Sequence, residues 1–167
     1  MKKEYLLIGI FLLISLFIYV FYRTGTTVVN KLVVCFISEE AYTSLKAAVV
    51  SSIPLSNVAI YSVPEGLWMF CITLTSKPFY TSLFGQRIDC LYIPLIFCIS
   101  LEILQLLHLT NGQFDYIDIV IFVQFWLLGR YALPIRNEQQ NIFTSVNTKI
   151  FFCLGTYGIV YLAHVVN

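Results

Sequence analysis

Residues 101–129, LEILQLLHLTNGQFDYIDIVIFVQFWLLG, contain two strongly apolar runs separated by the dipeptide Asn111-Gly112. Asn-Gly favours a tight turn, so this stretch predicts two antiparallel helices joined by a short connection. The first run carries Glu102 and the second carries Asp118. A hairpin of this kind brings the two acids close together across its arms.

The composition of the whole chain extends this picture. Of its 167 residues, 59% are hydrophobic and only 11% are charged. A soluble domain is about 45–50% apolar and about 25% charged, so this chain has too little charge to cover a soluble surface. This excludes a soluble enzyme and a disordered chain, and predicts an integral membrane protein whose main surroundings are the lipid bilayer. The formal charge of +1 gives no electrostatic reason for a nucleic-acid partner.

Five segments are apolar enough to predict membrane-spanning helices, which need about 20 residues each. They are residues 5–22, 58–76, 90–109, 116–133 and 150–166. Pro64, Glu65 and Gly66 interrupt the first half of the second segment. The first segment is expected to be a retained helix, because its apolar run is longer than a signal core and no small-residue cleavage site follows it.

The distribution of Lys and Arg predicts the orientation. With the N-terminus inside, seven basic residues fall in inner segments and three in outer ones, in agreement with the positive-inside rule. Residues 23–57 then form an outer loop. Ser38 followed by two acids predicts the start of a short amphipathic helix that Pro54 ends, whereas residues 32–37 fit either a strand or an embedded turn. The whole chain, residues 1–167, is predicted to be one domain.

Four acids fall within or beside the predicted spans, where an acid costs about 2.5–3.5 kcal/mol at mid-bilayer. They are Glu65, Glu102, Asp115 and Asp118. The predicted topology places all four in the outer half of the membrane, with Gln105 three residues after Glu102. We therefore expect an outward-facing acidic cleft that has an aromatic rim.

Helical spacing adds Trp68, Tyr161 and His164 as further candidates for this cleft. His108 is a candidate through its position at the outer end of the third segment, although helical spacing places it about 120° from the Glu102 face. No catalytic group is assigned. The five cysteines form no C-x-x-C pair, and their spacing predicts neither a disulfide framework nor a metal site; no cofactor motif is present. The acids themselves have two interpretations: a structural polar network between helices, or a site for a cation, a proton or a cationic ligand.

The spacing of these residues resembles that of the VanZ-like family of small bacterial membrane proteins. Glu102 and Gln105 match its Glu-x-x-Gln pair, Asp115 and Asp118 its Asp-x-x-Asp pair, and Gly112 and Gly129 two of its glycines; Pro64, Glu65 and Trp68 match its Pro-acid-x-x-Trp segment. The resemblance covers about 65 residues, within a motif-bearing core at residues 61–129. Gln113, Phe122 and Phe125 depart from it, since the family has Arg, Asn and Gly there.

The resemblance implies a bacterial envelope protein associated with low-level resistance to the glycopeptide teicoplanin. Three hypotheses follow for the chain. The first is a non-enzymatic membrane protein whose cleft binds a cationic, lipid-linked or glycopeptide ligand. The second is an intramembrane enzyme that acts on a lipid head group through paired carboxylates, with or without a metal ion held by oxygen ligands. The third is a proton- or cation-coupled carrier. The oligomeric state does not follow from the sequence.

Overall fold

A computed structural model describes residues 2–23, 28–109, 114–131, 139–144 and 147–164. Within these residues the chain is mostly helical, as the all-α expectation requires, and a small sheet is added to the helices. The seven α-helices of the described residues are α1 (Lys2–Tyr22), α2 (Val28–Phe36), α3 (Glu39–Ser52), α4 (Asn57–Ser76), α5 (Ile93–Leu106), α6 (Tyr116–Tyr131) and α7 (Thr148–His164), and a 3₁₀ turn at Cys90–Tyr92 directly precedes α5.

Helices α1 and α4 are long and apolar enough to cross a membrane, over Tyr5–Tyr22 and Asn57–Ser76. Helices α5, α6 and α7 coincide with the other three predicted spans, but they have 14, 16 and 17 residues. At 1.5 Å per residue, α5 is about 21 Å long, which is less than the ~30 Å hydrocarbon thickness. The structure therefore contains two helices of spanning length in its described part, and the count of five spans stays a prediction.

Helix α4 is the centre of the bundle and packs against α1, α6 and α7. All of its residues from 66 to 76 are buried. Gly66 and Gly129 allow α4 and α6 to approach closely, because a Cβ on Gly66 would lie 2.5 Å from Cδ2 of Phe125 and a Cβ on Gly129 would lie 3.0 Å from Cβ of Thr73. Contacts between small residues let helix backbones pack in this way.

A small sheet lies at the end of the bundle where α4 ends. Its strands are β1 (Phe79–Leu83), β2 (Gln86–Asp89) and β3 (Gln140–Asn141), in the order β2-β1-β3. β1 and β2 form an antiparallel hairpin, and β1 and β3 are parallel. Phe84 and Gly85, the two turn residues, have φ of 51° and 77°, as the turns of two-residue hairpins require. No strand was predicted here, between the second and third apolar segments.

Helices α2 and α3 follow α1 and precede α4 along the chain. Helix α2 covers most of residues 32–37, for which the sequence predicted either a strand or an embedded turn. Helix α3 begins one residue after Ser38, whose side chain caps it by accepting from the Ala41 amide at 3.5 Å. The Tyr42 hydroxyl donates to the Val20 carbonyl at 2.6 Å, and Lys46 Nζ donates to the Arg23 carbonyl at 2.7 Å. These bonds attach α3 to the end of α1.

Candidate functional site

Helix α4, which coincides with the second predicted span, runs without a break through Pro64, Glu65 and Gly66, the residues that interrupt its apolar run. Proline has no N–H, so it leaves the carbonyl of residue i−4, here Ile60, without its helical donor. The guanidinium of Arg23 supplies donors at this point. Its Nε lies 3.5 Å from the Ile60 carbonyl oxygen and its Nη2 lies 2.6 Å from the Tyr61 carbonyl oxygen.

The same guanidinium pairs with the first of the predicted acids. Arg23 Nη2 lies 2.8 Å from Glu65 Oε1, and the two side chains are only 19% and 14% exposed. The Arg23 guanidinium also lies 4.3 Å from the centre of the Tyr19 ring and 5.6 Å from that of Tyr61, both within cation–π range. Arg23 directly follows the first apolar run and falls in the predicted outer loop, residues 23–57, and the structure brings its guanidinium against a predicted acid of the second span.

Glu102 and Asp115 connect α5 to α6. Glu102 is 6% exposed, and its Oε2 accepts a hydrogen bond from the Asp115 amide at 3.2 Å. Asp115 Oδ1 in turn accepts from the Ile117 amide at 2.8 Å. A carboxylate that accepts from the second amide of a helix is a typical N-cap. Asp115 therefore precedes α6, which begins at Tyr116, and both carboxylates have structural partners.

Asp118 differs from the other three acids. Its Oδ1 atom is buried and has no hydrogen-bond partner. The Tyr19 hydroxyl is in the same situation: the residue is 2% exposed and its hydroxyl has no partner. We call the four predicted acids, Glu65, Glu102, Asp115 and Asp118, the acidic cluster. Arg23, which directly follows α1, pairs with Glu65, and its guanidinium lies against the ring of Tyr19 in α1.

The structure separates the remaining candidates. Trp68 is buried and stacks on Tyr19, with ring centres 4.9 Å apart, so it supports the cluster from α4. Gln105 is half-buried. His108 is exposed, has φ of 56°, and its amide donates to the Gln105 carbonyl at 2.9 Å. Leu109 donates to the Leu104 carbonyl, which completes a Schellman ending of α5. The backbone of His108 therefore ends a helix.

Tyr161 and His164 lie in α7, but their side chains are outside the described part of the chain, as are Asn111, Gly112 and Gln113. The two phenylalanines that depart from the family pattern are apolar packing residues here. Phe122 belongs to a buried group with Met69 and Trp126. Phe125 fills the space above Gly66. Neither residue brings a polar group to the acidic cluster.

The chemistry available to this site is that of a partly paired carboxylate cluster. Within the described residues, no three side chains of His, Cys, Asp or Glu are placed to hold a metal ion together. Sequence reasoning missed Arg23 and Tyr19. Two signals for Arg23 were available: it directly follows an apolar run, and Pro64 frees a backbone carbonyl that needs a donor.

Comparisons with known proteins identify no relative of this chain. No family model matches the chain, and no curated protein or solved structure is significantly similar to it.

Proposed function

We propose that this chain is a multi-pass protein of the bacterial cytoplasmic membrane, with its N-terminus inside. In this proposal its acidic cluster opens outward, binds a ligand at the membrane surface and lowers susceptibility to the glycopeptide teicoplanin. Membership of the VanZ-like family is part of the proposal and is supported by the order and spacing of the matched residues.

The outward faces of the helices support a membrane setting. Large apolar side chains are exposed on α1, α5, α6 and α7, among them Leu13, Ile96, Phe97, Leu128 and Phe151. A soluble monomer rarely exposes apolar patches of more than a few hundred Å². Polar groups are instead concentrated between the helices, as is typical of intramembrane polar residues. We infer that α5, α6 and α7 lie in the membrane together with the two longer helices.

The observation that carries the ligand-binding part is the buried Asp118 Oδ1 without a partner. Burying a polar atom without a hydrogen bond costs about 1–3 kcal/mol, and more when the group is charged. Three acids of the cluster have partners within the protein, and this one does not. In this proposal a ligand would give Asp118 Oδ1 the hydrogen bond that the described part of the protein does not provide. The structural-network interpretation therefore suits Glu65, Glu102 and Asp115, and the ligand interpretation suits Asp118.

The other two hypotheses gain no comparable support. An enzyme that used Glu102 and Asp118 as acid and base would need its substrate to reach Glu102, but Glu102 is buried and one of its oxygens accepts from the Asp115 amide. A divalent cation held by Asp115 and Asp118 would compete with the Ile117 amide for Asp115 Oδ1. A carrier with Glu65 as a relay group would have to release Arg23.

The test is antibiotic susceptibility in a sensitive Gram-positive host that expresses the wild type, Asp118→Asn or the control Asp89→Asn. Asp89 lies in β2, away from the cluster, and the two substitutions make the same chemical change. Membrane levels are matched by immunoblot. We expect the wild type and the control to raise the inhibitory concentration of teicoplanin but not that of vancomycin, and Asp118→Asn to lose this effect. A wild type that leaves teicoplanin susceptibility unchanged would contradict the proposed function.

A further inference from the structure

We infer that the hairpin of β1 and β2 lies on the cytoplasmic leaflet of the membrane, with its apolar face and its tip in contact with anionic phospholipid. This inference goes beyond the proposed ligand site and uses only the proposed membrane setting and orientation. In that orientation α4 ends at the inner side of the membrane. Only Lys77 and Pro78 separate α4 from β1, so the hairpin begins at the level of the lipid head groups.

The end of α6 marks the same level. The Arg130 guanidinium lies 5.2, 5.3 and 5.5 Å from the ring centres of Tyr92, Trp126 and Tyr131. Aromatic and basic side chains are typical of the level at which a helix leaves the membrane. Tyr92 belongs to the 3₁₀ turn that directly follows β2, so both ends of the hairpin are attached to the bundle at this level.

The register of the hairpin makes it amphipathic, because residues directly opposite each other in an antiparallel pair share one face of the sheet. One face is mainly apolar and carries Phe79, Thr81, Leu83, Gln86 and Ile88. The other face is polar and carries Tyr80, Ser82, Arg87 and Asp89. An element of this kind is suited to the boundary between lipid and water, as amphipathic helices are, since each face meets the medium that it favours.

The protein covers the apolar face at the base of the hairpin and not toward its tip. Phe79 is fully buried and belongs to a buried group with Ile150 and Cys153. Leu83 and Ile88, farther along the same face, are exposed. The apolar face therefore continues from the core of the protein to its surface, where a leaflet would cover it.

Phe84 at the turn is the residue that carries the inference. Its φ of 51° lies in the left-handed region, which is strained for a bulky residue and is favoured by Gly, Asn and Asp. Its side chain is 99% exposed, so no contact within the described part of the protein compensates for the strain. The acyl chains of a leaflet would provide the apolar surroundings that this ring lacks in the fold.

The charges at this end of the bundle favour an anionic lipid surface. Helix α1 begins beside the end of α4, since the Cys71 thiol donates to the Ile8 carbonyl at 3.8 Å. In the described elements that begin or end here, the basic residues are Lys2, Lys3, Lys77, Arg87, Arg130 and Lys149, and the acids are Glu4 and Asp89. The anionic lipids of a cytoplasmic leaflet attract basic residues near its surface.

Two reporter positions on opposite faces of the hairpin test the inference. The background is the full chain with Cys35→Ser and Cys98→Ala, since the other three cysteines are buried. Gln86→Cys places a fluorophore on the apolar face and Ser82→Cys places one on the polar face; both residues are exposed. The label is attached in detergent, and the protein is then reconstituted in nanodiscs of phosphatidylcholine with increasing shares of phosphatidylglycerol.

Quenching by nitroxides on the lipid acyl chains is compared with quenching by iodide in the water. We expect the nitroxides to quench mainly the label at position 86 and iodide to quench mainly the label at position 82. This difference should grow with the share of phosphatidylglycerol and shrink at high salt, because salt screens the attraction between charges.

Phe84→Asn separates lipid contact from the fold of the turn. Asparagine adopts a positive φ more readily than phenylalanine, so helix content and thermal unfolding in detergent should not deteriorate. The equilibrium constant for insertion, measured from the label at position 86, should fall by about 10- to 100-fold because a buried aromatic ring is lost. Phe36→Asn is the matched control: Phe36 is also exposed but lies in α2, and its substitution should leave both labels unchanged.

Equal quenching of the two labels, or unchanged quenching in Phe84→Asn, would overturn the inference. Quenching that does not respond to phosphatidylglycerol would overturn the preference for anionic lipid. These failures are separable from that of the proposed function. Lipid contact at position 86 without any effect on teicoplanin would retain the inference and reject the resistance role, and teicoplanin protection with both labels in water would do the reverse.

Discussion

Arg23 and Glu65 form an ion pair of 2.8 Å between the end of α1 and the first half of α4, and the same guanidinium donates to the carbonyl oxygens at the proline in α4. The Arg23 side chain therefore pairs with a carboxylate and also donates to carbonyl oxygens near the proline. The backbone carbonyl of Arg23 accepts a hydrogen bond from Lys46 of α3. The position of Arg23 therefore links three helices at the acidic end of the bundle.

We predict that Arg23→Ala lowers the free energy of unfolding by about 3 kcal/mol, because it leaves Glu65 largely buried without its cation. The measurement is unfolding of the full chain in mixed detergent micelles, followed by circular dichroism. Arg87→Ala, which removes a more exposed guanidinium, should cost less than about 1 kcal/mol. A double-mutant cycle with Glu65→Gln should give a coupling of about 1–3 kcal/mol; additive effects would show that the pair does not contribute to stability.

We predict that Gly66→Ala destabilises the protein by about 1–3 kcal/mol, since its new Cβ would overlap the Phe125 ring. Adding Phe125→Leu should recover part of the loss, because the smaller side chain makes room. Gly155→Ala is the matched control, as a Cβ at Gly155 meets no atom within 4 Å. That control should be neutral or slightly stabilising, since alanine favours helix. Equal losses in Gly66→Ala and Gly155→Ala would contradict close packing of α4 on α6.

We predict that substitutions of two neighbouring acids, Asp115 and Asp118, differ in their effect on the free energy of unfolding. Asp115→Ala removes the side chain that accepts from the Ile117 amide and should cost about 1 kcal/mol. Asp118→Asn should be neutral or stabilising without a ligand, because it removes a charge from a buried atom that has no partner. Unfolding in detergent, with no added ligand, provides the comparison. A loss of more than 1 kcal/mol in Asp118→Asn would mean that this carboxylate has a structural partner after all.

We predict a pH-dependent difference between the wild type and Tyr42→Phe. Burial raises the pKa of Tyr42 above its ordinary value of 10.0, so the unfolded chain loses this proton at lower pH than the folded chain does. The stability that Tyr42 contributes is therefore complete below pH 10 and falls as pH rises above it. The wild type should melt at a higher temperature than Tyr42→Phe at pH 9, and this difference in melting temperature should be smaller at pH 11. A constant difference would exclude this effect.

We predict the membrane orientation from two cysteine substitutions in a chain whose exposed Cys35 is replaced by serine. Glu40→Cys should react with a membrane-impermeant maleimide in intact cells. Phe84→Cys should react only after permeabilisation; Phe84 is 99% exposed at the tip of the β-hairpin, so access within the protein does not limit it. Labelling of both sites in intact cells would contradict the proposal that α4 crosses the membrane with its N-terminal end outside.

Much of the helical architecture could be predicted from local sequence. The apolar run of α1, the cap at Ser38 and the apolar segments that became α4 and α6 each specify a helix through nearby residues alone. The hairpin of β1 and β2 could not be read in this way, because its short strands depend on pairing with one another and with β3. The partner of the carbonyl that Pro64 frees in α4 could not be predicted either, since its donor is Arg23, 41 residues earlier in the chain.

The sequence by itself determined the apolar character of the chain, the positions of its main helices and the four acids that had to face inward, because the cost of exposing charge to lipid is a property of each residue. Only the tertiary structure decided how those acids differ. Glu65 pairs with Arg23, Glu102 accepts from the Asp115 amide, and Asp118 Oδ1 has no donor within the described residues. Hydrogen bonds act over about 3 Å, so whether a carboxylate is satisfied depends on which distant helix comes to lie beside it.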